Sequence, residues 1–174
     1  MLWGNFGPDG VAYIISVDGV HFPIREPRRE ASAGWYSHKF NGPGLAYELA
    51  LSIHTDQLVW IRGPFPASRP DINIFREEGL EDAIPEGKLA IGDSGYSAAY
   101  DKVSIIRDTD SKELKAFKMR ARARQENFNE RLKRFKILGQ TFKYKHEKHC
   151  AVVEAICVLT QYDIENGRPL NDVL

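Results

Sequence analysis

The sequence predicts an α/β fold, a mixed sheet flanked by helices, and three observations carry that prediction. Residues 11–17 (Val-Ala-Tyr-Ile-Ile-Ser-Val) are β-branched and apolar, as a buried strand requires. Residues 112–138 run without Gly or Pro, long enough for a dominant helix. Between and after these, the order reads strand, hairpin, short helix, strand, strand, long helix, helix, which is an α/β order.

Each element has its own signal. After the first strand comes Asp18-Gly19, ordinarily a turn, and the polar stretch 26–34 with Pro27 is a loop. Residues 45–53 and 58–61 are apolar and flank His54-Thr55-Asp56-Gln57, the pattern of an antiparallel hairpin. Residues 63–70 hold three prolines and are expected to be irregular. A short helix is expected over 71–80 with Asp71 as its N-cap. Residues 88–91 form a strand ending in Gly92-Asp93-Ser94-Gly95-Tyr96, and 103–106 another. The long helix 112–138 is closed by Gly139 as C-cap. Residues 141–144 form a brief extended piece, and 148–165 the last helix, ending at Asn166-Gly167. One domain over 1–174 is expected, since this length buries a core easily.

Bulk properties narrow the function classes. No apolar run approaches the roughly 20 residues that span a bilayer, so no membrane partner is expected. The N-terminus lacks the pattern of a secretory signal. Cys150 and Cys157, two helical turns apart, read as reduced thiols of an intracellular protein. Net charge is zero, but its distribution is uneven. Residues 111–149 hold thirteen Lys or Arg against four acids, a net of +9, leaving −9 elsewhere. A basic helix beside an acidic remainder suits DNA along one face, although a charged run is more often simply solvated.

Acids that end strands or project from a helix beside a sheet can converge on divalent ions, which bind oxygen ligands and stabilise both oxygens of a phosphodiester displacement. Asp18, Asp93 and Glu126 occupy such positions, though each alone is a weak signal. On the long helix, Arg122, Asn129, Glu130 and Lys133 share the face of Glu126. Phe117, Ala121, Phe128, Leu132 and Phe135 form the apolar stripe on another face. His146, His149 and Cys150 have part of a zinc spacing but no second cluster of ligands. His21 reads as a surface histidine, with a phosphate contact as the second reading.

Three segments together resemble the Harbinger-type DDE transposases. Ser16-Val17-Asp18-Gly19-Val20-His21-Phe22-Pro23-Ile24 is similar to their strand-Asp-Gly-x-His-x-x-Ile motif. Gly92-Asp93-Ser94-Gly95-Tyr96 resembles the second motif. Arg122-Ala-Arg-Gln-Glu126, continuing to Lys133, keeps the Arg-x3-Glu-x6-Lys spacing of the third. The resemblance implies an RNase H-like fold and a DNA-cutting and DNA-joining activity. It makes Asp18, Asp93 and Glu126 the catalytic ligands of Mg²⁺ or Mn²⁺. It places Arg122 and Lys133 on DNA phosphate or beside Glu126 to orient it, and the basic helix adds Arg120 and Arg124 to the DNA-binding set. It also implies a nuclear location. Asp71 matches a family position where an aspartate stands, an auxiliary acid after its role as a cap. Family members carry an N-terminal helix-turn-helix region. Only seventeen residues precede Asp18, so that region is expected to be lacking and an accessory DNA-binding protein would substitute. The resemblance is also compatible with an oligomer. The rival reading is a domesticated or decayed module of the same fold that binds DNA or protein without cutting.

Overall fold

The structure, a computed structural model, describes residues 6–27 and 32–173. Its centre is β1 (Ala12–Pro23), flanked by β3 (Gly42–Ser52) on one side and β5 (Lys88–Ile91) on the other. Beyond β5 lies β6 (Val103–Ser104). Beyond β3 lie β2 (Tyr36–Ser37) and β4 (Leu58–Pro66). β1, β3 and β4 are antiparallel neighbours, whereas β5 and β6 run parallel to β1. This is the mixed sheet flanked by helices that an RNase H-like fold requires.

Several boundaries differ from the sequence-based expectation, each for a physical reason. Asp18-Gly19 is not a turn. β1 continues to Pro23 because β3 pairs with it from Ile15 to Pro23, and those ladder bonds outweigh the local Asp-Gly signal. β4 runs through Pro64 to Pro66, since an edge strand need not donate from every residue. The short helix is two pieces, α1 (Asp71–Glu77) and α2 (Leu80–Ala83), separated at Gly79, whose φ is +96°. The long helix α3 (Lys112–Arg134) stops before a short α4 (Lys136–Gly139). Gly139 does not cap in the left-handed conformation. A Cβ there would stand 2.1 Å from the Lys133 carbonyl oxygen, so the close return of the chain demands glycine. Phe142 forms a single bridge to Ile24, and α5 (His149–Glu165) completes the chain's helices.

α3 and α5 cover one face of the sheet. Val20, Phe22, Leu49 and Leu51 pack there against Phe128, Leu132, Val153 and Ile156. Ile15, Val17 and Ala90 point the other way, onto Phe75, Leu80 and Tyr96. A bulge between Tyr13 and Ile15 sets the phase of β1. Tyr13 packs on Phe117 of α3, and beyond the bulge it is the even residues Ser16 and Asp18 that bond α3. Of the expected α3 stripe, Phe117, Ala121, Phe128 and Leu132 are buried, whereas Phe135 follows the helix and is 38% exposed.

Candidate active site

β1 and α3 meet through polar side chains. Ser16 donates its hydroxyl to Gln125 Oε1 at 2.8 Å, and the Asn129 amide donates to Asp18 Oδ2 at 2.7 Å. Gln125 and Asn129 are both buried and lie one turn apart, so they lock the helix over the strand at the acid. Neither was assigned a role from sequence. Gln125 falls in phase with Ala121 and Phe128, and a polar residue inside an apolar stripe is the signal that could have found it.

Beside this junction is a cleft of about 500 Å³. Asp18 from β1, Asp93 from the segment after β5 and Glu126 from α3 all line it, together with Arg122, Glu130 and Lys133. The three acids of the sequence analysis are thus brought to one cleft. Asp93 caps the short 3-10 turn 94–96, its Oδ1 accepting the Gly95 N–H at 2.8 Å. Glu126 is exposed on the cleft side of α3, away from the apolar face.

Burial pushes the Asp18 carboxyl up to about 6. The Lys39 ammonium opposes this, while the negative charges of Asp71 and Asp93 add to it. Asp71 is not the N-cap of α1. Pro70 occupies that position, and Asp71 is the first helical residue, with no side-chain cap bond made at that terminus. Its carboxylate lies instead behind Gly19, where a Cβ would meet Asp71 Oδ1 at 2.2 Å. Gly95 adjoins both Asp93 Oδ1 and Asp71 Oδ2. Desolvation raises the Asp71 carboxyl, helped by Asp93 and opposed by Lys39. Deeper still, Glu48 is 1% exposed, accepts among the described residues only the Trp60 indole N–H at 3.1 Å, and is pushed up by burial to about 8.

The cations divide by direction. Lys39 donates to the Gly19 carbonyl and reaches the cleft, a role that nothing in the sequence signals. Lys133 is held below the usual lysine range by desolvation and by Lys39. Arg122 opens into the cleft. Arg124 does not: it is 3% exposed and donates to the carbonyls of Ser52, Ile53 and Thr55, with Asp56 at 3.3 Å. The expectation that Arg124 meets DNA is therefore corrected, because its guanidinium is spent inside the protein. Arg120 is exposed but gives its Nε–H to the Val173 carbonyl at 2.9 Å.

The histidines also separate. His21 is buried rather than on the surface, its Nδ1 2.8 Å from Ser37 Oγ. Burial pushes its pKa down to about 4, assisted by Lys39 and Lys133. His149 Nδ1 meets the Tyr47 hydroxyl at 2.8 Å, His146 packs near Trp35, and Cys150 lies against the Gly63 carbonyl and Glu154. Having different partners, His146, His149 and Cys150 build no zinc site. Cys150 and Cys157 are both free thiols.

The family model described as a DDE superfamily endonuclease matches residues 17–161. The chain belongs to that family. The match takes in Asp18, Asp93 and Glu126 and most of the sheet and helices that carry them. No curated protein and no solved structure matches the chain. The DDE endonuclease family is in general dependent on divalent metal ions, and the donor chemistry here suits one. Asp18 is desolvated, feels the negative charges of Asp71 and Asp93, and has no ion-pair partner within 4.0 Å among the described residues. Among the described residues, however, no three His, Cys, Asp or Glu side chains converge closely enough to hold an ion as they stand.

Proposed function

We propose that this DDE endonuclease domain is of the Harbinger type, cutting and joining DNA phosphodiesters with Asp18, Asp93 and Glu126 as its metal-binding acids. The observation that carries this reading is the shared cleft, where three acids from separate elements stand with the cations Arg122 and Lys133. Asp18, Asp93 and Glu126 would hold Mg²⁺ or Mn²⁺, which when bound stabilises charge on the attacking and leaving oxygens. The chain's own groups do the rest. Asn129 donates to one oxygen of the Asp18 carboxylate and so fixes it beside the cleft. Arg122 and Lys133 bind and orient the phosphate backbone. Lys39 offsets part of the acid repulsion around Asp18.

The spread of the acids favours one second reading, a DNA-binding module that no longer cuts. A nicking assay on supercoiled DNA with Mg²⁺ or Mn²⁺, run with wild type and Glu126→Gln, separates the two. The substitution lies on an exposed helical position, so stability should move by no more than about 0.5 kcal/mol. Cleavage should fall at least about a hundredfold while DNA binding holds or rises. An equally active Glu126→Gln protein would remove Glu126 from the site. A folded, DNA-binding wild type inert with both metals would establish the second reading.

A further inference from the structure

A second pocket, of about 540 Å³, opens next to the acid cleft and shares Lys39 and Lys133 with it. Among the described residues no carboxylate lines it. Its walls are Phe40, Pro23, Pro43 and Ile24, with His21 among the lining side chains. It is therefore cationic where it meets the cleft and apolar or aromatic elsewhere. Its volume is in the range that holds a small organic ligand.

His21 adds a polar demand. Ser37 Oγ accepts the Lys39 backbone N–H at 3.2 Å and shares a hydrogen bond of 2.8 Å with His21 Nδ1. His21 Nε2 is buried and has no partner among the described residues, and the residue is 7% exposed. An unpaired buried polar atom costs about 1–3 kcal/mol, so a polar partner is called for beside it. Phe40 is held in place over Gly44, where a Cβ would meet its ring at 2.5 Å.

We infer that this pocket is a nucleotide subsite, holding one DNA nucleotide turned out of its stack beside the phosphodiester to be cut. The inference rests on the DNA-cleaving reading of the acid cleft. The nucleotide's phosphate sits between Lys39 and Lys133, its base stacks on Phe40, and a polar atom of the base pairs with His21 Nε2. Anion at one end, flat π-surface at the other and a hydrogen-bonding edge in between are what a nucleotide offers and what these walls require. Extruding a base costs a few kcal/mol, less at a strand end or mismatch, and stacking on an aromatic ring offsets it.

The test needs neither metal nor cleavage. The whole chain, in chelator, is titrated with 2-aminopurine deoxyribonucleoside 5′-monophosphate while its fluorescence is followed. Saturable quenching is expected, weakened at least about fivefold in Phe40→Ala. Phe40→Leu, which keeps apolar bulk over Gly44, should bind between the two and melt like wild type. Inorganic phosphate should compete only at much higher concentration. Equal affinity in wild type and the folded Phe40→Leu and Phe40→Ala proteins would overturn the inference. So would inorganic phosphate competing as well as the nucleotide, which would leave only a backbone groove. The nicking assay is read separately. A protein that nicks DNA but shows no Phe40-dependent binding loses the subsite alone, whereas one that binds the nucleotide but never nicks keeps the subsite and loses the nuclease.

Discussion

Two sets of cations on α3 have similar chemistry and opposite fates. Lys118 and Arg124 turn inward, 2% and 3% exposed, and tie the helix to loops through carbonyl oxygens and the carboxylates of Asp110 and Asp56. Arg122 and Lys133 look into the acid cleft. The first set holds the fold and the second is available to a polyanion. A net charge of +9 over residues 111–149 therefore overstates the field presented outward, because part of it is consumed inside.

The largest effect expected from this contrast is on stability. Arg124→Ala would strand three carbonyl oxygens and remove the partner of Asp56, costing about 3 kcal/mol in chemical denaturation. A loss below about 0.5 kcal/mol would erase the distinction between the two sets. Glu48 sharpens it from the other side, as a buried ionisable group with no cation bonded to it among the described residues. Its folded pKa, about 8, lies above the ordinary 4.5, so the folded chain keeps a proton that the unfolded chain releases. This contribution is complete below about 4.5 and is lost as pH rises toward 8, at up to about 1.4 kcal/mol per pH unit. The stability of wild type should thus fall by about 2 kcal/mol more than that of Glu48→Gln between pH 6 and 8, read from thermal melts. Parallel curves would mean that Glu48 is solvated. The smallest effect on stability belongs to the outward set. Arg122→Ala with Lys133→Ala should change it by less than about 0.5 kcal/mol, yet lower the slope of log affinity for DNA against log salt by about two. An unchanged slope would show that these cations do not meet phosphate.

Sequence legibility followed the range of the interaction. The hairpin of β3 and β4, the long α3 and the last helix announce themselves through periodicity, which is local. The resemblance of the motifs, rather than any periodicity, picked out Asp18, Asp93 and Glu126, and the structure lines one cleft with them. The continuation of β1 past Asp18-Gly19 was hidden, since only the ladder to β3 decides it. The run of β4 through its prolines depends on its being an edge. Arg122 and Arg124 are two residues apart and look alike in composition, but 200° of helix rotation separates cleft from interior. Asp71 looked like a cap because an aspartate opens the helix; Pro70 takes that place, and proximity to Gly19 gives Asp71 its other surroundings.

Gly19 has the widest reach of these details. A sheet ordinarily partitions a domain, with the chemistry on one side screened from the packing on the other. Here the partition has a window one side chain wide. Asp18 faces α3 while its neighbour, lacking a Cβ, lets the Asp71 carboxylate approach from the α1 side, and the negative charge of Asp71 is felt at Asp18. The affinity of the front acid for a proton or a cation is therefore tunable from the back, by whatever shifts α1 or neutralises Asp71, without altering a single residue that lines the cleft.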